Sequence, residues 1–244
     1  TDTDKGHNRY PIPMPLLTSH SEASFCWGIW KMEEDENALL ELLPRRQEHL
    51  RELRPFALPR RRLERLAVRA LLYTLTGTDT PICYEASGRP YLSDVRASFS
   101  ASHTDGYAAV LVGQPDMQAG IDIERYSERV RKVASRFIRK DEQPQLFHNT
   151  DLWALLLHWS AKETLFKCLN QTDIDFSRHL RIFPFEPQPE GSFLACEYRT
   201  PRHQQFRLHY FLHPDFVLTA CCQPLPSPPD NLPTQSRTAL QPER

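Results

Sequence analysis

The stretch Gly120-Ile121-Asp122-Ile123-Glu124 constrains the fold of this chain more than any other. In an extended strand, residues two apart share a face. Asp122 and Glu124 therefore point one way and Ile121 and Ile123 the other. Such a strand needs apolar partners on one side. On the other it needs a metal, a cation or a shared proton. Read alone, the two acids fit an exposed edge or a pair of structural salt bridges as well as a metal site. The rest of the chain has to decide.

At 244 residues the chain is long enough for one large domain or two modest lobes with a core. Hydrophobic residues at 40% and charged residues at 25% match an ordinary soluble globular protein. The net charge of -1 gives no global attraction to nucleic acid or to a membrane surface. No apolar run approaches the roughly 20 residues needed to span a bilayer. The six cysteines include no CxxC pair, so free thiols in a reducing compartment are expected and the protein reads as cytoplasmic. Glycine is scarce, 8 residues in all, and no glycine-rich phosphate loop is present. A phosphate ligand would have to be held by side chains and a metal.

Taken in order, residues 1–20 read as an irregular leader punctuated by Pro11, Pro13 and Pro15. An aromatic strand follows at 24–31, then helices at 33–43, 44–54 and 60–76. The last has Leu63, Leu66, Ala67, Ala70, Leu71 and Leu75 on one face. Strands are expected at 81–85, 98–101 and 107–112, with a hinge-like break at 114–116. Residues 127–140 read as a basic helix. Residues 151–169 read as a second long helix, and four strands are expected between 180 and 221. The tail from Gln223 is proline-rich and reads as disordered. Each half thus has a long helix followed by strands. The fold class is α+β with two similar lobes, 21–114 and 115–222, between the leader and the tail 223–244.

Four features carry potential chemistry. Nine arginines lie between Arg45 and Arg69 against three glutamates, which is either a solvated helix face or an anion site. His103 sits in the Ser102–Gly106 segment between two strands. The basic run Arg129, Arg131, Lys132, Arg136, Arg139 and Lys140 is either solvated or a dock for an acidic partner. Glu163 and Lys167 are four apart on the second long helix and share a face.

Three blocks together resemble one family. They are Phe99-Ser100-Ala101-Ser102-His103, Gly120-Ile121-Asp122-Ile123-Glu124 and Trp159-Ser160-Ala161-Lys162-Glu163-Thr164-Leu165-Phe166-Lys167. Their order and spacing look like the 4′-phosphopantetheinyl transferases, in particular the long, monomeric kind that activates surfactin and enterobactin synthetases. With Ser87-Gly88-Arg89-Pro90, which is similar to that family's G-K/R-P turn, the resemblance spans residues 25–222. It implies two lobes related by a pseudo-twofold, with coenzyme A in the cleft between them. The implied reaction moves the phosphopantetheine arm of coenzyme A onto a serine of an apo acyl or peptidyl carrier protein.

By the same resemblance, Asp122, Glu124 and Glu163 would converge on one point and hold Mg2+, or Mn2+. Glu163 would serve as base, directly or through a metal-bound water. Lys167 would steady the pyrophosphate, and Asp122 and His103 would complete the catalytic set. Arg46, Arg61, Arg69, Arg89, Ser102, His103 and Lys167 would contact coenzyme A, with Arg89 standing where a lysine is frequent. Trp159 would pack and Ser160 would position the turn. The expected partners are coenzyme A and the carrier protein, with no nucleic acid and no membrane. A relative that binds coenzyme A or the carrier without turnover is the alternative. A metal-dependent nuclease or RNA-binding protein using the arginine-rich helix is a further one, and it leaves the Trp159–Lys167 block unexplained.

Overall fold

The computed structural model describes residues 15–146 and 149–226. Its first half contains β1 (Leu16–Ser21), β2 (Phe25–Lys31), helices α1 (Glu36–Leu42), α2 (Arg46–Leu53) and α3 (Pro59–Thr76), and a hairpin of β3 (Ile82–Tyr84) and β4 (Pro90–Leu92). It closes with β5 (Ser98–Thr104) and β6 (Tyr107–Gly113). The second half contains β7 (Met117–Arg125), α4 (Arg129–Val133), α5 (Leu152–Leu169), α6 (Phe176–His179), β8 (Leu180–Ile182), β9 (Glu190–Glu197), β10 (Gln205–Leu212) and β11 (Phe216–Pro224). Two antiparallel sheets result, ordered β1-β2-β6-β5 and β7-β11-β10-β9-β8.

The alternation of side chains along the strands sets the layers. On β2 and β6, Trp30, Ala108 and Val110 face α1 and α3, where they meet Leu39, Leu66 and Leu71. Ile29, Ala109 and Leu111 face the other way and meet Ile121, Ile123 and Leu218 of the second sheet. The far side of the second sheet packs Phe206, Leu208 and Val217 against Leu157, Ala161 and Leu165 of α5. Helices, sheet, sheet and helix therefore stack in four layers.

Both long helices have 18 residues and defined stops. α3 starts with Pro59 in its first turn, where no backbone N–H is required, and ends on Gly77 at φ 71. α5 ends on Asn170, also left-handed at φ 48.

The structure departs from the sequence reading at both ends and in the basic segment. The expected irregular leader contains β1, which pairs along β2 from Leu16↔Trp30 to Ser21↔Cys26. The prolines all precede that strand, so none interrupts its ladder; residues 1–14 lie outside the described residues. The expected tail begins later, because β11 runs to Pro224 opposite Met117; residues 227–244 are likewise outside the described residues. The basic helix expected over 127–140 is only α4 plus a 3-10 turn at Ala134–Arg136. The carbonyl of Phe137, which a longer helix would use internally, instead accepts a hydrogen bond from Lys162 Nζ. All six cysteines are free. Among the described residues no helix is long and apolar enough to cross a membrane.

Candidate active site

β7 and α5 come together so closely that one position admits no side chain. A Cβ on Gly120 would fall against the carbonyl oxygen of Thr164 and lie 2.7 Å from Cys168 Sγ. Gly120, Asp122 and Glu124 therefore face α5, while Ala119, Ile121 and Ile123 sink into the core between the sheets. Hydroxyls seal the rest of the contact. Ser160 Oγ donates to the carbonyl of Asp122, and Thr164 Oγ1 donates to the carbonyl of Thr219.

This contact sets the acids beside one turn-spaced row on α5, namely Trp159, Glu163 and Lys167. Asp122 is buried at 4% exposure. Its Oδ1 accepts from Lys167 Nζ at 3.0 Å and from Ser102 Oγ at 3.0 Å. Its Oδ2 is buried and has no hydrogen-bond partner. Lys167 also donates to the carbonyl of Ile121 at 2.7 Å. The Trp159 indole donates to Glu124 Oε1 at 2.9 Å, so this tryptophan orients an acid as well as packing on Phe137.

Burial, followed by the negative charge of Asp122, pushes Glu124 up to about 7. Burial and Asp122 likewise push Glu163 up to about 7, with Lys167 pulling the other way. The three acids are thus near enough to repel one another. They do not form a finished cage. Among the described residues no group of three His, Cys, Asp or Glu side chains closes around one point as a metal centre. Asp122 faces Lys167 and Ser102, and Glu124 faces Trp159. The donor set still fits a hard divalent cation. It offers carboxylate oxygens only, one of them buried and unpaired, which is the ligand chemistry such an ion takes.

The Ser-His segment reaches the site by a route that sequence reasoning missed. β5 runs on to Thr104, and the turn is only Asp105-Gly106, with Gly106 at φ 80. Every second residue of β5 then offers a hydroxyl to β7. Ser98 Oγ donates to the Met117 carbonyl, Ser100 Oγ accepts from Ile121 N, Ser102 Oγ donates to Asp122, and Thr104 Oγ1 accepts from Arg125 N. Two sheet edges are joined by side chains instead of a backbone ladder. The period-two run of hydroxyls in Ser98–Thr104 was the available signal.

Two cavities flank this seam. The larger, ≈ 450 Å³, lies between α3, the β3–β4 hairpin and β5, and it is lined by Arg61, Arg65, Arg69, Ser102 and His103. Arg69 is buried and held by Glu52 Oε2 at 2.6 Å. Arg61 is exposed and pairs with Glu64, which also lies 3.6 Å from His103 Nδ1. Burial pushes His103 below its usual range, opposed by Glu64 and reinforced by Arg61 and Lys167. Arg65, one of the nine arginines but not singled out among them, has its guanidinium 3.9 Å from the Phe56 ring centre and 5.2 Å from that of Tyr84. Arg46 is exposed at the start of α2 and does not line this cavity. The smaller cavity, ≈ 330 Å³, takes Arg89 and Lys167.

Beside Glu163, Lys162 points the opposite way and is fully buried. Its Nζ donates to Glu142 Oε2 at 2.7 Å and to the carbonyls of Phe137 and Phe176. Glu142 Oε1 accepts from Ile182 N, and Oε2 also accepts from Arg139 N. The pair ties the segment after α4 and strand β8 to the helix that carries Glu163. Burial pushes Lys162 down, and Glu142 opposes that shift.

No curated protein matches the chain. Residues 118–221, which carry β7, α5 and all three acids, match the family model of the 4′-phosphopantetheinyl transferase superfamily.

Proposed function

We propose that the protein transfers 4′-phosphopantetheine from coenzyme A to a serine of an acyl or peptidyl carrier protein, releasing adenosine 3′,5′-bisphosphate. The observation that carries this reading is the seam itself. A buried, unpaired Asp122 oxygen, two acids pushed up to about 7 and Lys167 lie together beside two cavities. Asp122, Glu124 and Glu163 would hold Mg2+, or Mn2+. When bound, the ion supplies charge neutralisation for the pyrophosphate.

Lys167 donates to the pyrophosphate and balances the acids around it. Glu163, pushed up to about 7, is matched to accept the proton of the carrier serine at neutral pH. The serine Oγ then bonds to the phosphorus that bears the pantetheine arm. The bond from that phosphorus to the bridging oxygen breaks, and the bisphosphate departs with the electron pair. Arg61, Arg65 and His103 face the cavity suited to the nucleotide and its 3′-phosphate. Arg69 shapes that cavity while committed to Glu52.

The carrier docks on the face of α4 and the following turn. Arg129, Lys132, Arg136 and Lys140 are exposed there, whereas Arg131 is paired with Glu128 and Asp151, and Arg139 with Asp141. Each half places one 18-residue helix on the outer face of an antiparallel sheet, which supports two lobes, 16–114 and 115–224, related by a pseudo-twofold. The protein acts as a monomer in the cytoplasm. Incubation with coenzyme A, Mg2+ and a panel of apo carrier proteins tests the reading. The expected result is a carrier mass raised by one phosphopantetheine group; no gain on any carrier contradicts it.

A further inference from the structure

Behind the larger cavity lies a row of charged groups that the proposed reaction leaves unused. Arg69 lines the cavity from α3 and is buried. Its Nε and Nη2 both donate to Glu52 Oε2, at 3.0 and 2.6 Å, and its Nη1 donates to the Arg65 carbonyl. Two donors on one oxygen fall short of the two-to-two fork in which a guanidinium and a carboxylate bind best. Glu52 is partly exposed on α2 and is not part of the cavity lining, so it holds Arg69 from behind.

One turn before Glu52 on α2 stands His49, 1% exposed. Its Nε2 lies 2.9 and 3.0 Å from the two oxygens of Asp79, and Asp79 is fixed in turn by the backbone N–H of Arg45. An ionised carboxylate only accepts, so Nε2 is assigned as the donor of this pair. Nδ1 is buried without a hydrogen-bond partner among the described residues, 3.8 Å from Glu52 Oε2. That is the same oxygen that Arg69 holds. As a neutral ring, His49 turns a lone pair toward a carboxylate. With a second proton it offers a donor there, and a movement of about 1 Å brings Glu52 into hydrogen-bond range. The charged groups facing His49 are Asp79 from the segment after α3 and Glu52 from its own helix, with Arg69 beyond Glu52.

The geometry points to a carboxylate swap: an anion in the larger cavity draws Arg69 off Glu52, and protonated His49 takes the carboxylate over. His49 is a positioning residue, acting on the ligand through Glu52 and Arg69. The anion gains the planar fork of Arg69, and Glu52 is not left without a partner. Proton uptake at His49 and anion binding then favour each other reciprocally. The swap rests on the transferase reading for the identity of the anion, and adds to it the device that frees one of the cations.

The test uses a His103→Gln background, so that His103 does not titrate in the cavity. Adenosine 3′,5′-bisphosphate is titrated calorimetrically in chelator into the parent, into His103→Gln, and into His103→Gln combined with His49→Gln, Glu52→Gln or both. Measurements at pH 7.5 and 5.5 span the interval in which imidazoles change charge, with thermal melting at each pH as a folding check. The ligand's own titration is common to all and cancels in the ratios. Lowering the pH should raise affinity about fivefold more in the background protein than after His49→Gln. Glu52→Gln should bind more tightly at pH 7.5, because its amide holds Arg69 less firmly, and its pH profile should not change when His49→Gln is added. Parallel profiles with and without His49→Gln overturn the swap and leave the transferase reading standing. A Glu52→Gln variant that binds no more tightly at pH 7.5 also overturns it, as does a His49-dependent rise that persists in Glu52→Gln, since His49 then acts by its charge alone. A parent protein that binds the bisphosphate at neither pH overturns the transferase reading and the swap with it.

Discussion

α3 and α5 are equal in length and each covers the outer face of a sheet, yet their polar residues do opposite work. On α3 the arginines lie largely on the outside and are mostly spent in pairs. Arg60 and Arg61 hold Glu64, Arg62 holds Glu36, and Arg69 holds Glu52. What remains for a ligand is a rim of charge around a cavity, with Arg65 stacked on Phe56. On α5 the polar residues Ser160, Lys162 and Thr164 are fully buried. They lock the helix to β7, β11 and the segment before it, so that Trp159, Glu163 and Lys167 face Asp122 and Glu124 at fixed spacing. Charge on the first helix attracts; buried polarity on the second positions.

The largest effect should come from breaking the buried pair on α5. Lys162→Met or Glu142→Gln leaves one buried partner uncompensated, and about 3–5 kcal/mol of stability should be lost in urea unfolding. The corresponding change for α3, Glu36→Gln on α1 opposite Arg62, removes a partly exposed pair and should cost about 1 kcal/mol or less. Comparable losses would erase the distinction between the helices.

Trp159→Phe preserves the ring against Phe137 but removes the donor to Glu124. Mg2+ affinity should fall about tenfold in a metal titration, while the melting temperature in chelator stays near the parent value. An unchanged Mg2+ affinity would return Trp159 to a packing role.

Weaker effects are expected at the first cavity. Arg65→Ala should lower adenosine 3′,5′-bisphosphate affinity severalfold without affecting Mg2+. His103 is pushed down by burial, so it is neutral at pH 7.5 and gains its proton only as the pH falls. That proton adds positive charge to the cavity. Relative to His103→Gln, which shares the ligand's own titration, parent affinity for the bisphosphate should rise between pH 7.5 and 5.5. Parallel pH profiles would remove His103 from the anion site. The smallest effect is reserved for Arg129, Lys132 and Arg136 changed together to Gln. KM for the carrier should rise severalfold at low salt and converge with the parent at high salt.

Much of this arrangement was legible in the chain. The alternation of Gly120–Glu124 identified a strand with an acidic and an apolar face, and helical periodicity located α3 and α5 within a residue or two of their ends. Glu163 and Lys167 shared a face because helix geometry requires it. What stayed hidden depended on which distant elements meet. Nothing local to Gly120 announces that Thr164 will press on it. Glu142 reads as one more charge in a basic segment until Lys162 arrives from 20 residues on. β1 was missed because three prolines dominated the reading of its neighbourhood. The hydroxyls at Ser98, Ser100, Ser102 and Thr104 were visible as a period-two pattern, but their partner strand was not. Arg65 was one of nine arginines, and only the fold shows which of them stands between Phe56 and Tyr84.

The central claim is that Asp122, Glu124 and Glu163 repel one another in the bare protein and are reconciled by a divalent cation that the reaction requires. Glu163→Gln tests it most directly when transfer to an apo carrier and melting in chelator are measured on the same sample. Removing one of three crowded acids should leave the metal-free protein as stable as the parent or more so, since burial and Asp122 already disfavour the charged form. The Mg2+-induced rise in melting temperature should shrink. Transfer should fall by about 100-fold or more, within the range for losing a general base. A variant that melts earlier than the parent in chelator, responds to Mg2+ as the parent does and still transfers phosphopantetheine at a near-normal rate would contradict the account.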